Sequence, residues 1–314
     1  MSDASPDKLH ADEEIDLREF FQVLWEGKFL ITFVTGLVAV VSVFVVLSMP
    51  NIYQSTAILA PKSGDGADGL SRLASQYGGL ASLAGINLGG LGGDGMSKPA
   101  IALEKMKSLS LFKQHLYEDL LVDLMAVDSW DPSDGKLRYD DQIYDVESNK
   151  WLREVDPPRQ SKPSDQEAHK QFLKLISVSE DEQSGLIYVS VEHQSPDIAR
   201  RWVELLVSRV SEDLRSHDIR EAEESIKFLE AQREKTSLVS LDEVFAQLIE
   251  EQTKTIMLAN VSKDYVFDVI DPPVASELKS KPSRALICVL CTLLGGILGV
   301  VAVLIRHYGR RDIQ

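Results

Sequence analysis

Few residues in this chain of 314 have types and spacings that suit metal or redox chemistry. Zinc sites need histidine or cysteine ligands at characteristic spacings, and no such pattern occurs among the six histidines: His10, His115, His169, His193, His217 and His307. Cys288 and Cys291 form C-x-x-C, which suits redox chemistry in a soluble site. Both lie in a long apolar segment, where small residues packing between helices are the simpler interpretation. We therefore expect no metal, no cofactor and no disulfide framework.

Carboxylates and aromatic rings are the other groups that could catalyse a reaction or bind a ligand, and both would suit a glycan. A glycosidase holds two carboxyl groups about 5–10 Å apart in a cleft, and acids run together at Asp140-Asp141 and Glu180-Asp181-Glu182. Such runs are usually solvated surfaces. Aromatic residues between 128 and 159 either stack on sugars or form a small satellite core, the interpretation that we favour: Trp130, Tyr139, Tyr144 and Trp151. No catalytic residue is identified, and a non-enzymatic protein is predicted.

Two apolar segments near the ends of the chain set the framework for everything between them. Phe29 to Met49 and Ala285 to Ile305 each hold 21 residues without a charge. As helices they would be about 31 Å long, which matches about 30 Å of bilayer hydrocarbon. Both are predicted to cross a membrane, so residues 50–284 lie together on one side of it. A cleaved signal peptide is the alternative for the first segment, but no A-x-A-like site follows it.

Basic residues beside the two spans predict their orientation. Arg18 and Lys28 precede the first span, whereas the first base after it is Lys62. Three bases follow the second span: Arg306, Arg310 and Arg311. Three others precede it and weaken the count there: Lys279, Lys281 and Arg284. Long translocated segments depend little on charge, so the first span decides, and residues 1–28 and 306–314 are both expected in the cytoplasm.

The charge of the chain excludes two classes of partner. The net charge is −16, and residues 50–284 contribute about −13 of it. Proteins that bind nucleic acid present a basic stripe, and segments that adhere to anionic lipid are basic as well. The large middle segment is therefore not expected to bind either one.

Hydrophobic periodicity predicts an α+β domain between the spans. Strands are expected where β-prone residues alternate, at 52–59, 173–179, 185–192 and 265–270. Apolar residues at helical spacing over 100–127 predict two helices that break near Ser108 to Ser110. Residues 128–159 read as mostly loop. The stretches 50–195 and 262–284 together should form an α/β base.

A long helical arm is predicted to project from this base. Ser195-Pro196-Asp197 begins it, because Ser caps a helix, Pro suits its first turn and Asp complements its dipole. Pro196 to Lys235 would be one helix about 60 Å long. After a break at Thr236-Ser237, Ser240 is expected to cap a second helix, over 241–260, so that residues 196–261 form a hairpin.

The distal part of this arm is predicted to contact neighbouring chains. Apolar residues become scarce beyond Leu214, so that an isolated hairpin would bury too little apolar surface to offset its ordering. Neighbouring arms are expected to supply the missing burial and charge pairing. The alternative is that the second helix, Leu241 to Asn260, covers the first completely within one chain. The predicted contacts between subunits are Arg215, Arg220 and Lys227.

Glycines and prolines mark three further features. Gly64 to Gly95 holds 11 of the 19 glycines along an apolar thread, which predicts either two short helical turns or a loop packed on a neighbour. In the second span, close helix packing is predicted at Gly295, Gly296 and Gly299. Prolines mark the end of the last strand and the return to the membrane: Pro272, Pro273 and Pro282.

Several motifs, taken in order, resemble the polysaccharide co-polymerases, the Wzz-type chain-length determinants of Gram-negative inner membranes. Ile15-Asp16-Leu17 and Leu24-Trp25 stand before the first span, and Ile52-Tyr53-Gln54-Ser55-Thr56-Ala57 follows it. The later motifs are Leu248-Ile249-Glu250, Tyr265-Val266-Phe267, Ile270-Asp271-Pro272 and Lys281-Pro282-Ser283-Arg284. The chain departs from the family pattern at Ser276, where a proline usually precedes the Glu.

This resemblance implies an α/β base near the membrane, a helical arm and a closed homo-oligomeric ring. It implies that residues 50–284 are periplasmic. The protein would then act with a polysaccharide polymerase of the inner membrane to set the length of a lipid-linked polysaccharide, O-antigen of lipopolysaccharide in the leading hypothesis. The growing polysaccharide is a further expected partner.

Three alternatives remain open at this point. A capsule or exopolysaccharide export component would work with a separate kinase, because the chain has no G-x-x-x-x-G-K-[ST] motif for a fused one. A periplasmic glycan-cleaving enzyme would use the acids described above. A two-span sensor would need an output domain, and only nine residues follow Ile305.

Overall fold

The computed structural model describes residues 17–62, 97–235, 239–262 and 264–311. In chain order the elements are α1 (Leu17–Glu26), α2 (Lys28–Ser48), β1 (Tyr53–Pro61), α3 (Lys98–Met106), α4 (Leu109–Leu111), a π-helical turn (Phe112–Leu116), α5 (Tyr117–Met125), β2 (Val127–Asp131), β3 (Lys136–Tyr139), β4 (Tyr144–Asp145), β5 (Lys150–Trp151), α6 (Asp165–Leu175), β6 (Ile176–Glu180), β7 (Ile187–His193), α7 (Pro196–Arg233), α8 (Val239–Val261), β8 (Phe267–Asp271) and α9 (Arg284–Arg311). The Gly-rich stretch 64–95 and the predicted break at Thr236-Ser237 lie outside the described residues.

The chain divides into two compact units, Met1–Asn51 with Ser280–Gln314, and Ile52–Lys279. In the first unit, the long apolar helices α2 and α9 pack against each other. Their apolar stretches, Lys28–Ser48 and Arg284–His307, each have a mean hydropathy of 2.8 and suffice in length to cross a membrane. Both helices begin within one residue of the predicted spans.

A four-stranded antiparallel sheet forms the centre of the second unit, in the order β6-β7-β1-β8. Strand β1 pairs with β7 from Tyr53↔His193 to Leu59↔Ile187. Its other side pairs with β8 through a register shift between Ile58 and Leu59. The strand that leaves the first unit is thus central in the sheet, and β8 is an edge strand.

The core lies between this sheet and the first half of α7, with α3 to α6 packed around them. Its largest fully buried side chains in this layer include Trp202, Leu206 and Ile187. Alternate residues of β7 point into the core, as expected for a strand with one covered face. The combination of helices and an antiparallel sheet confirms the predicted α+β class.

One sequence prediction in this unit is wrong in part. Leu173 to Leu175 form the last turn of α6 rather than the start of a strand, because Ser164 caps a helix that buries Ala168 and Phe172 one turn apart. Residues 128–159 are mostly loop, as predicted, although they also form two short hairpins, β2-β3 and β4-β5. The break at Ser108 is confirmed, because its side chain caps the next helical turn.

Candidate functional site

The arm begins as the sequence predicts. The Ser195 hydroxyl accepts a hydrogen bond from the Ile198 backbone N–H, and Pro196 occupies the first turn of α7. The helix then continues for 38 residues, about 57 Å. Helix α8 begins at Val239, so Ser240 lies inside it and is not its cap.

An apolar seam joins the two arm helices, which corrects the prediction that burial nearly ends at Leu214. Farther along α7, Ala222 and Leu229 are buried. Helix α8 supplies the other side of the seam with Val244, Phe245 and Leu248. Cover of α7 by α8 within one chain is the alternative that the sequence left open. Ala222 and Leu229 are seven residues apart among charged residues, so only a partner helix makes their shared face visible.

The arm also exposes large apolar side chains that the seam does not use. Phe228 is 53% exposed on α7, and Met257 is 62% and Val261 80% exposed on α8. Isolated exposed apolar residues are common on protein surfaces. These three side chains lie outside the seam that joins the two arm helices.

The three cations predicted to link subunits lie in different surroundings. Arg220 and Lys227 are exposed on α7, where the Arg220 side chain donates to the Ser216 carbonyl at 3.3 Å. Lys227 forms no ion pair with any residue that the structure describes. Arg215 instead donates to the Ser262 carbonyl at 2.7 Å and lies near the Tyr265 ring. The link between subunits stays a prediction, and Arg215 already has partners in its own chain.

One polar cluster fixes α7 where it leaves the base. The Lys98 ammonium contacts the Asp218 carboxylate at 2.6 Å and the Tyr265 hydroxyl at 3.3 Å. Tyr265 also donates to Asp218, at 2.6 Å. Partial burial alone would lower the pKa of Lys98, but Asp218 and Tyr265 hold it above its usual value. Burial and the hydrogen bond to Asp218 raise the pKa of Tyr265. The cluster joins α3, α7 and the segment that follows α8.

A second cluster lies one and a half turns earlier on α7. The Asp213 carboxylate pairs with Lys105 of α3 and lies 3.3 Å from Nε2 of His115 in the π-helical turn. Burial would raise the pKa of Asp213, yet Lys105 and His115 keep it below its usual range. Sequence spacing gives no signal for either cluster, because their members are brought together only by the packing of distant elements.

His193 is buried at the start of the arm and uses both of its ring nitrogens. Nδ1 accepts from the Ser195 backbone N–H at 3.0 Å, which leaves Nε2 as the donor to the Asp123 carbonyl at 3.1 Å. The ring also packs on Trp202 of α7. Burial lowers the pKa of His193, so the neutral form holds β7, α5 and the cap of α7 together.

Two of the acids considered for glycan cleavage, Asp140 and Asp181, serve local structure. Asp140 accepts from the Gln142 backbone N–H at 2.8 Å. Asp181 accepts from the backbone of Gln183 and Ser184 in the β6-β7 turn, which lowers its pKa. Both are turn-forming carboxylates of the kind that short Asp side chains commonly provide.

The aromatic residues of the same region pack on one another. Tyr144 is buried between Tyr139 and Trp151, with ring centroids 6.3 Å and 5.0 Å away. Trp130 lies edge-on to Tyr53 of β1 at 5.3 Å. These contacts favour the satellite core over a stacking platform for sugars.

In the first unit, two of the three predicted packing glycines contact the other apolar helix. A Cβ at Gly295 would lie 2.9 Å from the Val38 Cβ, and one at Gly299 would lie 3.0 Å from the Ile31 Cα. At Gly296 the nearest such atom is the Thr35 hydroxyl, 3.9 Å away. The close approach of α2 and α9 thus depends on Gly295 and Gly299.

The predicted prolines occupy two places. Pro272 and Pro273 line a cavity of about 460 Å³ between α7 and the edge strand β8. Pro282 precedes α9, whose first residue, Arg284, donates to the Asn51 side chain at 3.1 Å and to the Met49 carbonyl at 3.5 Å. Arg284 therefore ties the start of α9 to the segment that follows α2.

Metal and thiol chemistry gain no support from the described part of the chain. It holds no group of three His, Cys, Asp or Glu residues placed to bind a metal ion. Cys288 and Cys291 are free thiols on α9. What the geometry does offer is a capped arm with two polar clusters at its root.

Comparisons with known structures find distant likenesses. A full-length bacterial polysaccharide co-polymerase is 13% identical, with a TM-score of 0.39 over 94% of this chain and 99% of its own. A fragment of WzzB, a polysaccharide co-polymerase from Salmonella Typhimurium, is also 13% identical, with a TM-score of 0.30 over 74% of this chain and all of its own. Scores this low support no argument about this protein. No curated protein matches the chain.

Family models match both ends of the chain. Residues 13–91 match the Wzz model, described as chain length determinant protein. Residues 236–308 match the GNVR model, described as G-rich domain on putative tyrosine kinase. The first range includes α2 and β1, and the second includes α8, β8 and most of α9. These matches confirm the resemblance predicted from the motifs: residues 13–91 are similar to the chain length determinant family.

Proposed function

We propose that the protein is a non-catalytic regulator of polysaccharide chain length that acts with a polysaccharide polymerase in the bacterial inner membrane. The observation that carries the proposal is the chain length determinant match over residues 13–91. That range comprises one candidate span and the strand β1 that follows it. The second match adds the other candidate span and the strand that pairs with β1 on its far side.

The proposed topology places both termini in the cytoplasm and residues 50–284 in the periplasm. The bases beside the first span support it, because basic residues are retained on the cytoplasmic side. A reporter that is active only in the periplasm, fused after residue 314, should be inactive. An active fusion would contradict the topology without bearing on the family.

The arm is the proposed working part of the regulator. A closed homo-oligomer would set the arms side by side, with Arg220 and Lys227 facing acids of the next chain. Their exposure on α7 supports this role, as do the exposed apolar side chains on the same hairpin. The arm would then act by shape and position, and no bond in the polysaccharide would be made or broken by this chain.

O-antigen of lipopolysaccharide is the polysaccharide that we propose. The test is to delete the gene and to separate the lipopolysaccharide by gel electrophoresis. Loss of a preferred length band, restored by the intact gene, is the expected result. An unchanged O-antigen pattern together with a changed capsule would contradict the O-antigen assignment. Purified protein that shortened a glycan without any polymerase would contradict the non-catalytic role.

A second candidate function has one observation in its favour. The model that matches residues 236–308 is described by its occurrence on putative tyrosine kinases. A capsule or exopolysaccharide export component that works with a separate kinase would therefore also suit the chain. Deletion of the gene would then reduce exported polysaccharide, and a kinase would co-purify with the cytoplasmic termini.

A further inference from the structure

A cavity of about 300 Å³ lies where α1, α2 and α9 meet, all within the first unit. Val23 and Val303 are almost fully buried and form its floor, while Phe29 is 80% exposed at its edge. Gly27 separates α1 from α2 and allows Val303 to approach, because any Cβ there would overlap the valine side chain. The site is thus formed by packed helices, and part of its lining is apolar.

Two opposite charges line the same cavity without meeting each other. Glu26 is the last residue of α1, and Arg306 lies near the end of α9. Both are exposed, and neither forms a hydrogen bond or an ion pair with any residue of the described parts of the chain. Opposite charges that share a small cavity usually pair, because the attraction at short range is favourable. Here both charged side chains are exposed at the cavity and can reach an external group.

The cavity lies at the end of both apolar helices. Lys28 is the first residue of one apolar stretch and His307 is the last of the other. If α2 and α9 cross a membrane, this is the depth of the phospholipid headgroups. Trp25, which is exposed beside the cavity with Lys28 over its ring at 4.7 Å, is a residue type typical of that depth.

We propose that this cavity binds the headgroup of a zwitterionic phospholipid with a primary amine, such as phosphatidylethanolamine. The Arg306 guanidinium would bind the phosphate, the Glu26 carboxylate would accept from the ammonium, and Phe29 would contact the first acyl carbons. An anionic headgroup without an amine would leave Glu26 unpaired. A trimethylated amine would keep its charge but have no N–H to donate. The site should therefore prefer lipids whose headgroup carries a primary ammonium group.

The test uses the full chain, purified in detergent and stripped of lipid. Phosphatidylethanolamine, phosphatidylcholine and phosphatidylglycerol with identical acyl chains are added in mixed micelles, and bound lipid is counted by native mass spectrometry. We expect phosphatidylethanolamine to bind about fivefold more tightly than either of the others. Equal binding of the three lipids would overturn the proposal.

Single substitutions test the roles of Glu26 and Arg306 one at a time. Glu26→Gln should abolish the preference for phosphatidylethanolamine and leave phosphatidylglycerol binding unchanged. Arg306→Gln should weaken all three lipids. Glu250→Gln and Lys254→Gln, which alter exposed charges on α8, serve as controls and should change nothing. A preference that survives Glu26→Gln would overturn the role of the carboxylate.

This inference rests on the proposed membrane insertion, which is tested separately. Carbonate extraction of membranes should leave the protein in the pellet. Extraction into the supernatant would contradict the insertion itself. Retention in the pellet together with equal binding of the three lipids would contradict only the headgroup site.

Discussion

The chain contains two antiparallel pairs of long helices, and they are held together by different means. The arm pair, α7 and α8, buries Phe245, Leu248 and Leu229 in a seam. The span pair, α2 and α9, exposes most of its large apolar side chains and packs closely where α9 has glycine. In water, burial of apolar surface drives helices together. In lipid that driving force is absent, and only close backbone approach and polar contacts remain.

The largest expected effect is at the arm seam. Phe245→Ala should lower the free energy of unfolding by about 3 kcal/mol, because it removes a ring that is only 2% exposed. Phe228→Ala is the matched control, since that ring is 53% exposed on the same hairpin and should cost about 0.5 kcal/mol or less. Denaturant unfolding of the full chain in detergent measures both. Equal losses would mean that the seam does not hold the arm.

The next largest effect is expected where α2 and α9 pack together. Gly295→Leu with Gly299→Leu should disrupt the α2-α9 pair at a cost of about 2 kcal/mol, because each new side chain meets Val38 or Ile31. Gly296→Leu, where the neighbouring atom is 3.9 Å away, is the control. Thermal unfolding in detergent and the length of the polysaccharide are the two measurements. A double variant that behaves like Gly296→Leu would show that glycine does not set the packing.

A smaller effect depends on pH and concerns the base of the arm. Burial lowers the pKa of His193 from its usual 6.5, so below that pH the unfolded chain binds a proton that the folded chain does not. The contribution of His193 to stability should therefore be constant above about pH 7 and fall as the pH drops through 6.5. His193→Gln can still accept from Ser195 and donate to Asp123, but it does not titrate. If the variant loses stability with acid as steeply as the original chain, His193 is not the group responsible.

The smallest effect on the folded chain is expected at the exposed charges of the arm. Arg220→Glu and Lys227→Glu should leave the unfolding of a single chain nearly unchanged, because exposed charges on a helix contribute little. Assembly in detergent, followed by light scattering, should weaken at low salt. Intact assembly at both low and high salt would mean that these residues do not join subunits.

The sequence predicted what periodicity and caps control. The bounds of the two long apolar helices and the cap at Ser195 follow from local patterns that need no tertiary information. Local patterns cannot show which helix covers a buried face, and Ala222 and Leu229 alone did not point to α8. The root clusters were out of reach for the same reason, because Lys98, Asp218 and Tyr265 are far apart in sequence. Three separate elements have to pack before any of them has a partner.

The tethering of Lys62 and Lys98 has a consequence for how much variation the chain tolerates. Lys62 directly follows β1. Its backbone N–H donates to the Val266 carbonyl, and its side chain donates to the Asp264 carbonyl. On the other side of the Gly-rich stretch, the Lys98 side chain donates to the Tyr265 hydroxyl. The two ends of the Gly-rich stretch are thus fixed beside the same short segment before β8. Closing a loop between fixed ends costs little more as the loop lengthens, about 0.6 kcal/mol for each doubling. A label inserted between Lys62 and Lys98 is therefore expected to cost the base little stability.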